Sequence, residues 1–533
     1  MPLRVVFIGA GSVGFTRRLA QDMLMVPELQ DTVFALHDID RRNLDMVAQL
    51  LKKDIKANLL PAKVVTSLNR RKALEGADYV INCTRIGGLE AFATDIDIPL
   101  KYGVDQCVGD TLCAGGIMYG QRNIPQIRAF SKDALEVGNA SRPGGMLFLN
   151  YANPMAMNTW AALDAYDAGE GINTVGLCHG VDGGWQQIAA ALARYHGDED
   201  ESSSKVGQYG ETGLAYRDLV QIVCAGINHQ TWYLKVLYRG REVGQEELLA
   251  AFEQHDTLAE TEKVRIDVLR RFGVYSTESN GHLSEYLPWY RKRPKEIKKW
   301  ISMNSWINGQ TAGYLRVCTE DRNWFETDFP KWLDEAGQPL ETWKRSTEHG
   351  SYIIESLETG RPYRGFFNVR NRGVITNLPE DCVIEAPGYV DRTGLHMMSG
   401  ITLPQACAAT CMASVNVQRM SKDAAITGDV TLLKQAVLHD PLVGAVCNPD
   451  EVWQMTDEML VAQRPWLPNY RKADLDAASK RMDHATIQTK PWAGAARAKV
   501  KSVAQLRKSG GNVMDADKGK SRTAGVKRRK GAA

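Results

Sequence analysis

Short apolar runs recur along the first half of the chain, and each stops at a group of polar or small residues. Leu3–Ile8, Thr32–Leu36, Ala77–Thr84, Met146–Leu149, Thr174–Leu177 and Leu219–Val223 have the length of strands, with helix-length stretches between the early ones. Runs this short and apolar predict the buried parallel strands of an open α/β sheet. Such a sheet presents its ligand crevice where the strands end, so Asn150, Asn153, Cys178 and His179 are expected to share one rim. Further on, the pattern predicts a helix beginning near Ile117, an amphipathic helix over Trp185–Tyr195, and a solvent loop over 197–204. Helices are expected over 247–272, a hairpin over Asn368–Pro379, a strand at Val383–Pro387, and more helices to about Leu460.

The first strand opens into Gly9-Ala10-Gly11-Ser12-Val13-Gly14 and then a helix. Gly9 allows the tight turn, Gly11 lets backbone approach a pyrophosphate, Gly14 is expected to permit close helix packing, and Ser12 lies among the free N–H groups of the helix start. The second strand ends in Asp38 and Asp40. A carboxylate there accepts hydrogen bonds from ribose hydroxyls and disfavours a 2′-phosphate, which points to NAD, with Asp38 preferred over Asp40. The turn Arg85-Ile86-Gly87-Gly88 after the next strand is placed to form part of the cofactor wall. The expected fold is therefore a Rossmann-type doubly wound sheet over residues 1–190, joined to a second α/β catalytic domain over 191–470.

Three groups of residues carry candidate chemistry beyond the nucleotide turn. Cys178, at a strand end, and His229, in the turn Ala225-Gly226-Ile227-Asn228-His229, form a soft and borderline pair suited to a divalent metal with open positions. A buried small thiol and a hydrogen-bonded histidine are the plainer alternative. Asp110, in a loop with Gly109 and Thr111, can serve as an acid or accept from a sugar hydroxyl, or it can cap a helix. Tyr275, Glu278, His282, Glu285 and Tyr286 crowd one stretch and can exchange protons or hydrogen-bond a polyol, with aromatic surface for a sugar face. The region from Trp306 to Phe329 reads as a lid or subunit contact.

Composition narrows the classes. The 533 residues carry a formal charge of +2, and no apolar run reaches the length of a membrane span. The N-terminus enters a strand without a leader, which places the protein in the cytoplasm. Ten cysteines with no dense framework suit reduced thiols. Charge is uneven: from Arg471 onward there are 17 Lys/Arg against 5 Asp/Glu. This basic extension, 471–533, is expected to be disordered from about Ser509, and it reads as a solvated tail more than a nucleic-acid contact.

With these pieces placed, the chain resembles the NAD- and metal-dependent glycosidases of glycoside hydrolase family four, closest to their α-galactosidase branch. The resemblance covers roughly Arg4 to Tyr470. It rests on F-I-G-A-G-S, D-I-D, G-D-T-L-x-x-G-G-I-M, N-Y-A-N-P-M-A-M-N-T-W, G-L-C-H, A-G-I-N-H, T-E-S-x-x-H-x-x-E-Y-x-P-W and N-V-R-N-x-G-x-I-x-N-L-P. It implies a lactate/malate dehydrogenase-like catalytic domain and NAD on Gly9, Gly11 and Gly14. It also implies manganese on Cys178 and His229, substrate contact by Asn153, and a homodimer or homotetramer. The implied reaction is hydride removal from sugar C3, loss of the C2 proton and the aglycone, addition of water, and return of the hydride, in place of the usual carboxylate pair. His179, in Cys178-His179-Gly180-Val181, argues for an unphosphorylated sugar. Galactosidases of the family have Ser and α-glucosidases Glu where Gly180 stands, and glycine resembles the uronidases, so α-galactoside leads while α-glucuronide, α-galacturonide and α-glucoside stay open. A metal-free dehydrogenase of the lactate/malate type is the remaining alternative.

Overall fold

The structure, a computed structural model, describes residues 2–142, 144–198, 214–319 and 329–498. The expectations for the loop beyond residue 198, for part of the 306–329 lid and for disorder from 509 lie outside these residues.

Thirteen strands form one sheet: β1 Arg4–Ile8, β2 Val33–His37, β3 Lys63–Ser67, β4 Tyr79–Asn82, β5 Leu147–Asn150, β6 Asn173–Gly176, β7 Val220–Ile227, β8 Gln230–Tyr238, β9 Arg241–Glu242, β10 Tyr275–Ser276, β11 Tyr363–Arg370, β12 Val383–Asp391 and β13 Gly394–Met397. The order β3-β2-β1-β4-β5-β6 is parallel throughout. This is the doubly wound Rossmann order expected from the apolar runs. Val5, Val6, Phe7, Tyr79, Val80, Ile81 and Phe148 are completely buried because helices cover both faces.

Beyond β6 the sheet turns antiparallel, running β11-β12-β7-β8-β10. Two joints in this half are narrow. β11 meets β6 through one residue pair, Asn368 with Gly176, and β12 meets β7 through one pair, Glu385 with Gly226. The sheet therefore opens around β11 and β12. The loop after β6 and the β7–β8 turn can then meet, although two strands separate them in the sheet.

Several boundaries differ from expectation. The long helix begins at Cys113, not near Ile117, and the next amphipathic helix begins at Gly180, directly after His179. The expected hairpin over 368–379 is the end of β11 followed by a loop, because the aromatic stretch Tyr363–Phe367 is strand and pairs with β12. Asn371 organises that loop by donating to the carbonyls of Ile375 and Leu378 and accepting from the Ile375 amide. The basic extension starts as an ordered helix, Lys472–Asp483, which buries Leu475 and Ala478. No helix among the described residues is long and apolar enough to cross a membrane.

Candidate active site

The glycine turn lies between β1 and the helix Val13–Leu24. Gly9 holds φ +83°, and an added β-carbon would sit 2.9 Å from the Thr84 methyl, so the turn requires glycine twice over. The first bond within the helix runs from Thr16 N to Ser12 O (2.9 Å), and Ser12 makes no side-chain cap. The amides of Val13, Gly14 and Phe15 therefore lack intrahelical acceptors, as pyrophosphate binding needs. Gly14 differs from expectation: nothing lies within 4 Å of its missing side chain, so it leaves the approach open and no helix packs on it. The Asp38 carboxylate closes the other side, accepting from Gly11 N at 2.7 Å and Asp40 N at 2.9 Å. Asp40 is corrected to a helix cap: its carboxylate accepts from Asn43 N (2.9 Å) at the start of Arg41–Ala57. A dinucleotide fits this turn.

Cys178, just past β6, His229, in the β7–β8 turn, and Glu278, two residues past β10, bring their ligand atoms within 4.8 Å of one another. Cys178 Sγ donates to Glu278 Oε2 (3.5 Å), and His229 Nε2 lies 3.9 Å from that oxygen. The other imidazole nitrogen, Nδ1, sits 3.0 Å from Thr111 Oγ1. With the Nδ1 proton donated to Thr111, Nε2 carries the free lone pair that a metal needs. Burial holds His229 below its ordinary pKa, which keeps it neutral. The Cys178 thiol is driven well above its usual range by burial and then by the carboxylates of Glu278 and Glu385. It becomes a thiolate at neutral pH only beside a cation, and this donor set fits a divalent metal.

A second group adjoins the first through His229. Asp110 accepts from Asn153 Nδ2 (2.7 Å) and Tyr286 Oη (2.8 Å), and His282 Nε2 lies 3.6 Å away. Burial opposes ionisation of Asp110, but the His282 contact, His229 and the Tyr286 hydroxyl hold it well below the usual carboxylate range. Burial would lower His282, yet the Asp110 contact raises it. Ser279 fixes that ring: its hydroxyl meets His282 Nδ1 at 2.6 Å and accepts from His282 N at 3.1 Å while capping the helix Asn280–Tyr286. Asp110 itself caps nothing, since the N-cap of the long helix is Leu112.

Most candidate residues thus converge, and three do not take their expected places. Tyr275 is fully buried in β10, stacked 4.3 Å from Phe252 and donating to Gln187 at 3.2 Å; strand alternation turns it into the core, away from Cys178 and His229. Glu285 is occupied by backbone, accepting from the amides of Cys107 (2.7 Å), Val108 (2.8 Å) and Gly109 (2.8 Å), so it shapes the loop carrying Asp110 and is not turned to a substrate. His179 stands at the rim, its side chain 44% exposed and Nδ1 3.7 Å from Glu348.

Sequence reasoning missed Thr111 as the partner of His229. It also missed the support behind that turn: Glu385, buried in β12, accepts from Asn228 (3.4 Å) and Asn368 (3.2 Å). The signal was a lone acid inside the apolar run Val383–Pro387. Burial pushes that carboxyl up to about 8. Arg85 was seen only as part of a turn, yet its guanidinium packs 4.3 Å from the Phe92 ring centroid and 4.7 Å from that of Tyr119.

Fold and site together define a doubly wound α/β enzyme with a nucleotide turn and a buried thiol–imidazole–carboxylate centre. The chain belongs to family 4 of the glycosyl hydrolases: the family model matches residues 4–194, and that of the family's C-terminal domain matches 224–443. It is 60% identical over 504 residues to an α-galactosidase of Rhizobium meliloti (strain 1021), covering 95% of this chain and 97% of that one. It is 32% identical to an α-galactosidase of Bacillus subtilis (strain 168), over 88% of this chain and all of that one. Its fold is shared with a 6-phospho-β-glucosidase of Thermotoga maritima solved with manganese, NAD⁺ and glucose-6-phosphate, at TM-score 0.64 and 22% identity, over 87% of this chain and 99% of that one.

Proposed function

We propose that this enzyme hydrolyses an unphosphorylated α-galactoside, using bound NAD and a divalent metal, manganese in first place. The observation that carries this is the 60% identity, across nearly the full length of both chains, to a protein named α-galactosidase. The groupings Cys178–His229 and Asp110–His282 support it, because they place a metal centre beside a proton-handling pair.

The Gly9–Gly14 turn and Asp38 hold NAD, and Cys178 with His229 Nε2 holds the metal. When bound, these groups supply reversible hydride acceptance and Lewis acidity toward sugar oxygens. The chain's own residues do the rest. Thr111 fixes the His229 tautomer. Asp110, kept anionic, accepts a sugar hydroxyl, while Asn153 and Tyr286 hold that carboxylate in place. His282, with Nδ1 held by Ser279 and Nε2 directed to Asp110, takes up and returns the proton. His179 at the rim contacts the sugar's outer hydroxyls.

The test is release of p-nitrophenol from its α-galactoside by protein supplied with NAD⁺, Mn²⁺ and a thiol reductant. Turnover requiring all three is expected. Full activity after chelation sinks the metal assignment, and faster turnover of the α-galacturonide or α-glucoside reassigns the sugar. The working form is proposed to be a homodimer or homotetramer in the cytoplasm, with no nucleic acid partner. Ten free thiols suit a reducing compartment. Light scattering measures the assembly.

A further inference from the structure

The space beside Gly180 is filled by the carboxylate of Glu278. An ideal β-carbon on Gly180 would lie 1.6 Å from Glu278 Oε2 and 2.4 Å from its carboxyl carbon, closer than any non-bonded atoms approach. Gly180 begins the helix that follows Cys178, whereas Glu278 arrives from the turn after β10, 100 residues away. The absent side chain is therefore what admits this carboxylate to the thiol and imidazole.

The carboxylate is also short of partners. Its side chain is 6% exposed, and among the described residues its hydrogen-bond partner is the Cys178 thiol alone. Its ion-pair contact is His229 Nε2 at 3.9 Å, too long for a hydrogen bond. Buried carboxylates elsewhere in the chain are treated differently: Asp95 has Arg122, and Asp105 has Arg291. A desolvated carboxylate with neither arginine nor backbone amides, aimed with a thiol and an imidazole at one point, is arranged for a cation.

We propose that Glu278 is a third protein ligand of the metal, delivered through the gap left by Gly180. This rests on the reading that Cys178 and His229 hold the ion. One thiolate and one carboxylate balance the double positive charge of the ion, and three protein donors still leave open positions for substrate oxygens on an octahedral ion.

The experiment is titration of the metal-stripped full-length enzyme with Mn²⁺ alone, reading free Mn²⁺ by electron paramagnetic resonance. Glu278→Gln is expected to weaken Mn²⁺ binding by about 10- to 100-fold, the range seen when groups supporting a metal site are removed. Gly180→Ala alters no donor but displaces the carboxylate, so it should weaken binding in the same direction and keeps the test valid if Glu278→Gln fails to fold. Gly183→Ala, whose methyl meets nothing within 4 Å, should bind as the wild type does. Wild-type affinity in Glu278→Gln or Gly180→Ala overturns the third ligand while Cys178→Ser still loses Mn²⁺. Retention of Mn²⁺ by Cys178→Ser overturns the underlying metal reading itself.

Discussion

Two buried polar clusters of this protein are built on opposite rules. Arg122 and Asp95 are both fully buried, and their forked pair closes at 2.8 and 2.7 Å. Gln463 donates to the same carboxylate (2.7 Å), and the guanidinium also reaches the Ile86 carbonyl (3.2 Å). Donors and acceptors there match. Cys178, His229 and Glu278 are nearly as buried, yet they include a thiol, a neutral ring and a carboxylate with no arginine or lysine bonded to it. Because an uncompensated buried charge is costly, a fold keeps one where a ligand completes it. The contrast separates groups that hold the molecule together from groups that await something.

Substitutions should separate along the same line. The largest effect is expected from Asp110→Asn, which removes the anion beside His282: kcat should fall roughly 10²- to 10⁴-fold, with urea stability close to that of the wild type. Loss of stability in proportion to activity would move Asp110 into the structural class. Arg122→Ala should do the converse, costing about 3–5 kcal/mol in urea unfolding while the folded fraction keeps its kcat. At the nucleotide turn the neighbouring acids should part company. Asp38→Ala is expected to weaken NAD⁺ binding about tenfold, as loss of a charged hydrogen bond implies, and calorimetric titration measures it. Asp40→Ala should leave NAD⁺ affinity alone and cost about 0.5–2 kcal/mol as a lost helix cap.

The smallest effect tests an intermediate case. Glu285 accepts three backbone amides, but burial outweighs them and carries its pKa from 4.5 to about 7. The folded protein therefore holds a proton that the unfolded chain releases, and stability drains away as pH rises from about 4.5 to about 7. Glu285→Gln carries no such proton. Its melting temperature should gain on the wild type across that window and level off above it; a constant gap means that the amides dominate.

Some of this was legible in the chain because it is local. Gly9 to Gly14 between a strand and a helix is a self-contained unit, since turn, phosphate approach and helix start are neighbours in sequence. The alternation of short apolar runs with helices likewise reports burial on both faces of a parallel sheet. Cys178 and His229 could be nominated from their strand ends, and sequence likeness to a family paired them. Tyr275 and Glu278 looked equivalent within one polar stretch, because composition does not say which side of a two-residue strand turns inward.

By itself, then, the sequence determined the Rossmann half, the nucleotide turn and the catalytic family, all of which follow from short-range pattern or motif. Only the tertiary structure decided that Asp40 is a cap, that Glu285 is spent on backbone amides, and that Glu278 lies in the room left by Gly180. Those assignments depend on which side chains meet across a sheet opened by single-pair joints at Asn368 and Glu385. Contacts between residues 100 positions apart are set by packing and by the pairing of buried charges, and neither is written in the neighbours of a residue.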